Sequence, residues 1–119
     1  MATKVLLVED DADQALLFSR VLERIGYAVT QTTTAARAQA YLRTEPYALL
    51  LADWDLGGGM AGDTLIVWAK KEQPGLKTVL FSNHPELDAV AAASGADAAF
   101  RKISGVDLLR QLIIRLAPA

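Results

Sequence analysis

Short apolar runs alternate along the chain with longer segments of helical spacing. The runs are VLLV (5–8), YAVTQT (27–32), YALLLA (47–52), TVLF (78–81) and AAF (98–100). Each has the length of a strand. The first, third and fourth are continuous rather than alternating, as strands covered on both faces require, and this predicts that they are central and parallel.

The intervening segments predict helices. Over 11–25, Ala15, Phe18, Leu22 and Ile25 share one face and Gly26 follows as a stop. The alanine-rich stretch 34–44 is ended by Pro46, and 60–72 by Pro74 and Gly75. Pro85 suits the first position of a helix over 85–94, which Gly95 closes. Over 105–116, Leu109, Leu112, Ile113 and Leu116 form a stripe. Five strand-then-helix repeats with right-handed crossovers predict an α/β fold: a doubly wound, five-stranded parallel sheet of order 2-1-3-4-5, flavodoxin-like, with helices on both faces.

At 119 residues this is one domain, 1–119, with nothing left over for a linker or effector. Hydrophobic residues make up 52% and charged residues 22%, so the chain can fold around a core. A net charge of −2 without a Lys/Arg cluster argues against direct nucleic-acid binding. The apolar run near the N-terminus is too short for a signal peptide or membrane span, and the absence of cysteine suits the cytoplasm. Met1 and the lack of a trailing linker are what a stand-alone domain would show.

In open α/β sheets the functional site lies beyond the carboxyl ends of the strands, at the switch point of strand order. There the sequence places Glu9, Asp10 and Asp11 after the first run, Asp53 and Asp55 after the third, Ser82, Asn83 and His84 after the fourth, and Lys102 after the fifth. Crowded carboxylates raise one another's pKa unless a cation compensates, and a hard divalent ion is the natural remedy. Magnesium held by one or two carboxylates completes its shell with water and phosphate oxygens, which points to phosphoryl chemistry. An aspartate can itself be the nucleophile, with metal, hydroxyl and ammonium neutralising the transferred group.

VLLVEDD, LLLADWDL, TVLFSN and FRK resemble, in order and spacing, the four signatures of the receiver domain of bacterial two-component response regulators, over essentially the whole chain. The resemblance implies a phosphoacceptor at Asp53, a direct Mg2+ (or Mn2+) ligand at Asp10, Glu9 acting on the metal through a water, and Asp55 contributing its backbone carbonyl. Ser82 takes the place of the switch hydroxyl and Lys102 that of the phosphate-pairing lysine. It further implies a cytoplasmic phosphorylation-dependent switch, not an enzyme. The phosphoryl donor would be a phosphohistidine of a sensor histidine kinase or histidine phosphotransfer protein. The output would be a downstream protein, or a homodimer through helix 4, strand 5 and helix 5, with no membrane or nucleic acid contacted directly.

Three places depart from the family pattern. Ile103 follows Lys102 where proline is usual, and because a cis bond before isoleucine costs about 3 kcal/mol, a trans bond is expected. Ala99 replaces the aromatic switch residue, and Phe100, one position on, faces the other side of the sheet. The loop GGGMAG is longer than usual and has Gly57 where proline is common, so looser ordering around the metal is expected.

Other readings of these residues stand beside the functional ones. Asp10 or Asp11 could cap the first helix, Asp55 could only begin a turn, and Lys102 could reach solvent. His84 two after Ser82 lacks the G-x-S-x-G elbow of a hydrolase and reads as a rim residue that could shield a phosphoryl group. GGGMAG lacks the Gly-Lys-Ser/Thr of a phosphate loop. Trp54 and Trp68 read as packing residues; Leu108 and Ile114 lie off the last helix's stripe. DWDL also resembles the opening of haloacid-dehalogenase-type phosphatases, though the acids here precede it and no cap is present. A degenerate receiver acting as a constitutive interaction module is the remaining alternative.

Overall fold

The computed structural model describes residues 2–119, so of the expected domain only Met1 lies outside the described residues. Strands β1 (Thr3–Val8), β2 (Tyr27–Thr32), β3 (Leu49–Asp53), β4 (Lys77–Ser82) and β5 (Ala98–Arg101) alternate with helices α1 (Ala12–Arg24), α2 (Ala35–Thr44), α3 (Gly62–Glu72), α4 (Leu87–Ser94) and α5 (Val106–Leu116). The sheet is parallel throughout and ordered β2-β1-β3-β4-β5, as expected.

The continuous apolar runs are buried because helices cover both sides. Leu6, Val8, Leu50, Ala52 and Leu80 pack with residues of α2, α3 and α4. Val5, Leu7, Leu49, Leu51, Val79 and Phe81 pack with α1 and α5. Edge strand β2 is partly exposed in its middle, which explains why YAVTQT alone carries polar residues at its centre.

Local chemistry sets the helix ends. Asp11 caps α1 by accepting from the Gln14 amide at 3.0 Å, and Thr34 caps α2 by accepting from the Arg37 amide at 3.2 Å. Gly95 closes α4 in the left-handed conformation, φ 80°.

Three of the boundaries that differ from the expected ones are informative. Strand β3 starts at Leu49, and Tyr47 just before it is buried in the core and donates its hydroxyl to Glu45 Oε2 at 3.2 Å. Helix α4 starts at Leu87, not Pro85: the Glu86 amide donates to His84 Nδ1 and the Leu87 amide to the His84 carbonyl, so Pro85 and Glu86 form a turn. Helix α3 starts at Gly62, where the backbone passes so close to β3 that a Cβ would sit 1.9 Å from the Asp53 carbonyl oxygen. Only glycine permits that approach.

Candidate functional site

The parallel register brings the polar strand ends together. Asp53 ends β3 opposite Phe81 of β4, so Ser82 lies one residue further along the neighbouring strand. Val8 pairs with Ala52, which sets Glu9 and Asp10 beside Asp53. One carboxylate oxygen each from Glu9, Asp10 and Asp53 fall within 4.8 Å of one another. Glu9 and Asp53 are buried; Asp10 is exposed.

Lys102 arrives from a 3-10 turn after β5 and points inward. Its ammonium donates to Asp53 Oδ2 at 2.8 Å, Glu9 Oε2 at 3.2 Å and Gln14 Oε1 at 2.7 Å, and lies 5.0 Å from the centre of the Phe81 ring. The other oxygens of both buried acids are also held. Asp53 Oδ1 accepts from the Asp55 amide and Glu9 Oε1 from the Asp11 amide, each at 3.0 Å. Asp10 Oδ2 accepts from the Gly57 amide at 3.2 Å, so the glycine loop is tied to the exposed acid.

The electrostatics show a surplus of negative charge. Glu9 is pushed up to about 7, first by burial and then by the adjoining Asp53, against the opposing pull of the Asp11 amide and Lys102. Burial is the largest single influence on Lys102 and works to lower its pKa, but Asp53 and Glu9 outweigh it and the net shift is upward. A charged lysine therefore faces more carboxylate than it can neutralise. Oxygen-only donors with excess negative charge and one solvent-facing member fit a hard divalent cation.

The sequence profile of the response regulator receiver domain matches residues 5–114. The chain belongs to that family. The receiver is similar in structure to a CheY-like response regulator receiver domain protein from Methanospirillum hungatei, with 29% identity and a TM-score of 0.87, covering 98% of this chain and 94% of that one. It is also similar to the receiver domain of NtrX from Brucella abortus, with 26% identity and a TM-score of 0.88, covering 94% of this chain and 96% of that one. Among curated proteins, the nitrogen assimilation regulatory protein NtrX of Azorhizobium caulinodans is 30% identical over 94 residues. That match covers 78% of this chain and 21% of the relative, so the receiver spans about a fifth of that protein.

Within the receiver, the sequence-predicted residues Glu9, Asp10, Asp53 and Lys102 meet directly, and Ser82 is buried at the adjoining strand end. The Ser82 hydroxyl accepts from the His84 amide at 3.0 Å. Asp55 is exposed and meets the site through its backbone amide. Asp11, not Asp10, takes the capping role. The bond before Ile103 is trans, since the described residues contain no cis peptide. Phe100 packs toward α1 and α5 while Ala99 faces the opposite layer, so the ring does not stand in for the missing aromatic.

Trp54 packs against the core as expected, half-buried at its edge, and its ring also lies 4.6 Å from that of His84. Gln14 was not expected at the site, and Gly57, expected in the loop around the metal, meets Asp10 by a main-chain bond that was not foreseen. The one hint to Gln14 was its spacing, four residues after Asp10 on the first turn of α1. Gly57 acts through its backbone, which residue identity hardly reports.

Proposed function

We propose that the receiver accepts a phosphoryl group on Asp53 from a phosphohistidine, with Mg2+ or Mn2+, and so switches its affinity for a downstream protein. The observation that carries this reading is the Lys102 ammonium, which bridges the buried Asp53 and Glu9 at the only place where three carboxylates converge among the described residues. In the transfer, an Asp53 carboxylate oxygen forms the new O–P bond, the P–N bond breaks, and the imidazole nitrogen keeps the electron pair and takes up a proton.

Asp53 is already oriented for attack. The Asp55 amide fixes one carboxylate oxygen and Lys102 the other, so little ordering is needed when the donor arrives. Lys102 is close enough to move its ammonium from carboxylate to the incoming phosphoryl oxygens, and Ser82 offers a hydroxyl from the neighbouring strand end. The cation would be held by Asp10, Asp53, the Asp55 carbonyl and Glu9 through water, the assignment implied by the family resemblance. When bound it offsets charge on the transferred group. His84 and Trp54 at the rim would limit the access of water to the acyl phosphate. The domain would act in the cytoplasm, with a histidine kinase or phosphotransfer protein as donor.

Acetyl phosphate with Mg2+ tests this reading. One phosphoryl group per wild-type chain and none on Asp53→Ala, measured by intact mass, is the expected result. Sustained turnover of a phosphate monoester would favour the phosphatase alternative, and no labelling at all would favour a constitutive binding module.

A further inference from the structure

Lys102 lies in a 3-10 turn next to an Ile103 that is 81% exposed, but its own side chain runs inward, is 13% exposed and carries its ammonium 5.0 Å from the Phe81 ring. Packing on Phe81 directs the stem, and the hydrogen-bond acceptors fix where the ammonium ends. An ammonium has three donors, and here all three are used: Gln14 Oε1 at 2.7 Å, Asp53 Oδ2 at 2.8 Å and Glu9 Oε2 at 3.2 Å. The shortest contact is to the one neutral partner.

The backbone that carries Gln14 is fixed: the main-chain N–H of Gln14 donates to Asp11 Oδ1 at 3.0 Å, and the main-chain N–H of Asp11 donates to Glu9 Oε1 at 3.0 Å. Glu9, Asp11, Gln14 and Lys102 thus close a ring of hydrogen bonds whose free vertex is the ammonium over Asp53. Building on the phosphoacceptor reading, we propose that Gln14 is a positioning residue: its amide oxygen holds the Lys102 ammonium over Asp53 throughout phosphoryl transfer. Asp53 changes from carboxylate to acyl phosphate. Gln14 offers the same acceptor before and after. Because it is uncharged, it steers the lysine without adding to the negative surplus that the cation must balance.

The test uses the intact chain and the variants Gln14→Met, Gln14→Ala and Gln14→Glu. The first two remove the acceptor, one at similar volume; the third restores an oxygen. Two readouts are taken: hydrogen exchange of the Lys102 ammonium by 1H–15N NMR, and labelling by phosphoramidate as a function of donor and Mg2+ concentration. The expected result is faster ammonium exchange in Gln14→Met and Gln14→Ala, with the maximal labelling rate down roughly tenfold and half-saturating donor and Mg2+ concentrations little changed. Gln14→Glu should restore slow exchange. A labelled wild type with unchanged exchange or unchanged maximal rate in both acceptor-less variants overturns this role alone. An unlabelled wild type overturns the phosphoacceptor reading and this role together.

Discussion

The carboxyl edge of the sheet has two halves built in different ways. Around β1 and β3, buried Glu9 and Asp53 have both carboxylate oxygens engaged, and Lys102 has all its donors engaged. Around β4 and β5 the corresponding links are exposed. Arg101 donates to the His84 carbonyl at 2.9 Å and pairs with Asp88 at 3.3 Å, and the Ile103 amide donates to Asn83 Oδ1 at 2.9 Å. No aromatic side chain from β5 joins this half, because Ala99 faces it and Phe100 faces away. The buried strand ends thus hold the acids and the lysine in place, whereas the links from β4 and β5 to the surface are solvent-exposed hydrogen bonds. Such a division lets the outer half rearrange without disturbing the inner one.

The strongest way to break the contrast is to disturb the inner half. In Gly62→Ala the new Cβ has no room beside the Asp53 carbonyl, so α3 or the end of β3 must shift. A loss of about 3 kcal/mol in urea unfolding, the upper end for forced overpacking, is expected together with impaired labelling of Asp53. Wild-type stability would show that the inner half is not tightly built.

A smaller effect tests whether the outer half is loose along its whole length or only at its carboxyl end. At the amino end of β4, Asp97 Oδ2 accepts from the Thr78 amide at 2.7 Å and from Lys70 at 3.1 Å. Asp97→Ala should cost about 2 kcal/mol, showing that this end is firm. Burial alone would raise the Asp97 pKa and is the largest single influence, but the Thr78 amide and Lys70 outweigh it and hold the carboxyl below 3.8. A depressed folded pKa gives stability that is present above the unfolded value and lost as pH falls through the folded one. The difference between wild type and Asp97→Ala, followed by unfolding at several pH values, should therefore be full at neutral pH and shrink below pH 3.8.

The smallest effect is expected for Arg101→Ala. Its acidic partner is 80% exposed, so the loss in stability should stay under about 1 kcal/mol. Amide hydrogen exchange around His84 and Leu87 should nevertheless quicken, while that of β1 and β3 stays slow. Equal protection in both halves would erase the distinction.

These differences also explain what could be read from sequence. VLLV, LLL and TVLF announced central strands because burial on both faces leaves no polar position. Glu9, Asp10, Asp53 and Lys102 were legible because a charge at the end of an apolar run is conspicuous. The start of α4 differs from the expected one because the Leu87 amide closes a turn on the His84 carbonyl, the acceptor that a helix from Pro85 would have offered to the Asp88 amide. The packing of Trp54 against the core was legible from its size, but its additional rim contact with His84 depends on how two loops meet. Gln14 drew no attention, since a neutral polar side chain in the first turn of α1, even four residues before Phe18 on the stripe, looks like the point where the apolar face gives way to solvent. The crowding at Gly62 is set by the distance between a helix and a strand, which no local pattern encodes.

In the proposed reaction Asp53 carries the phosphoryl group as an acyl phosphate. Borohydride reduction of chain treated with acetyl phosphate and Mg2+ tests it directly, because an acyl phosphate is reduced to the alcohol and converts aspartate to homoserine. Peptide mass spectrometry should find homoserine at position 53 in treated wild type and not in untreated chain. Homoserine at position 10 or 55, or an unmodified Asp53 after treatment, would contradict the account.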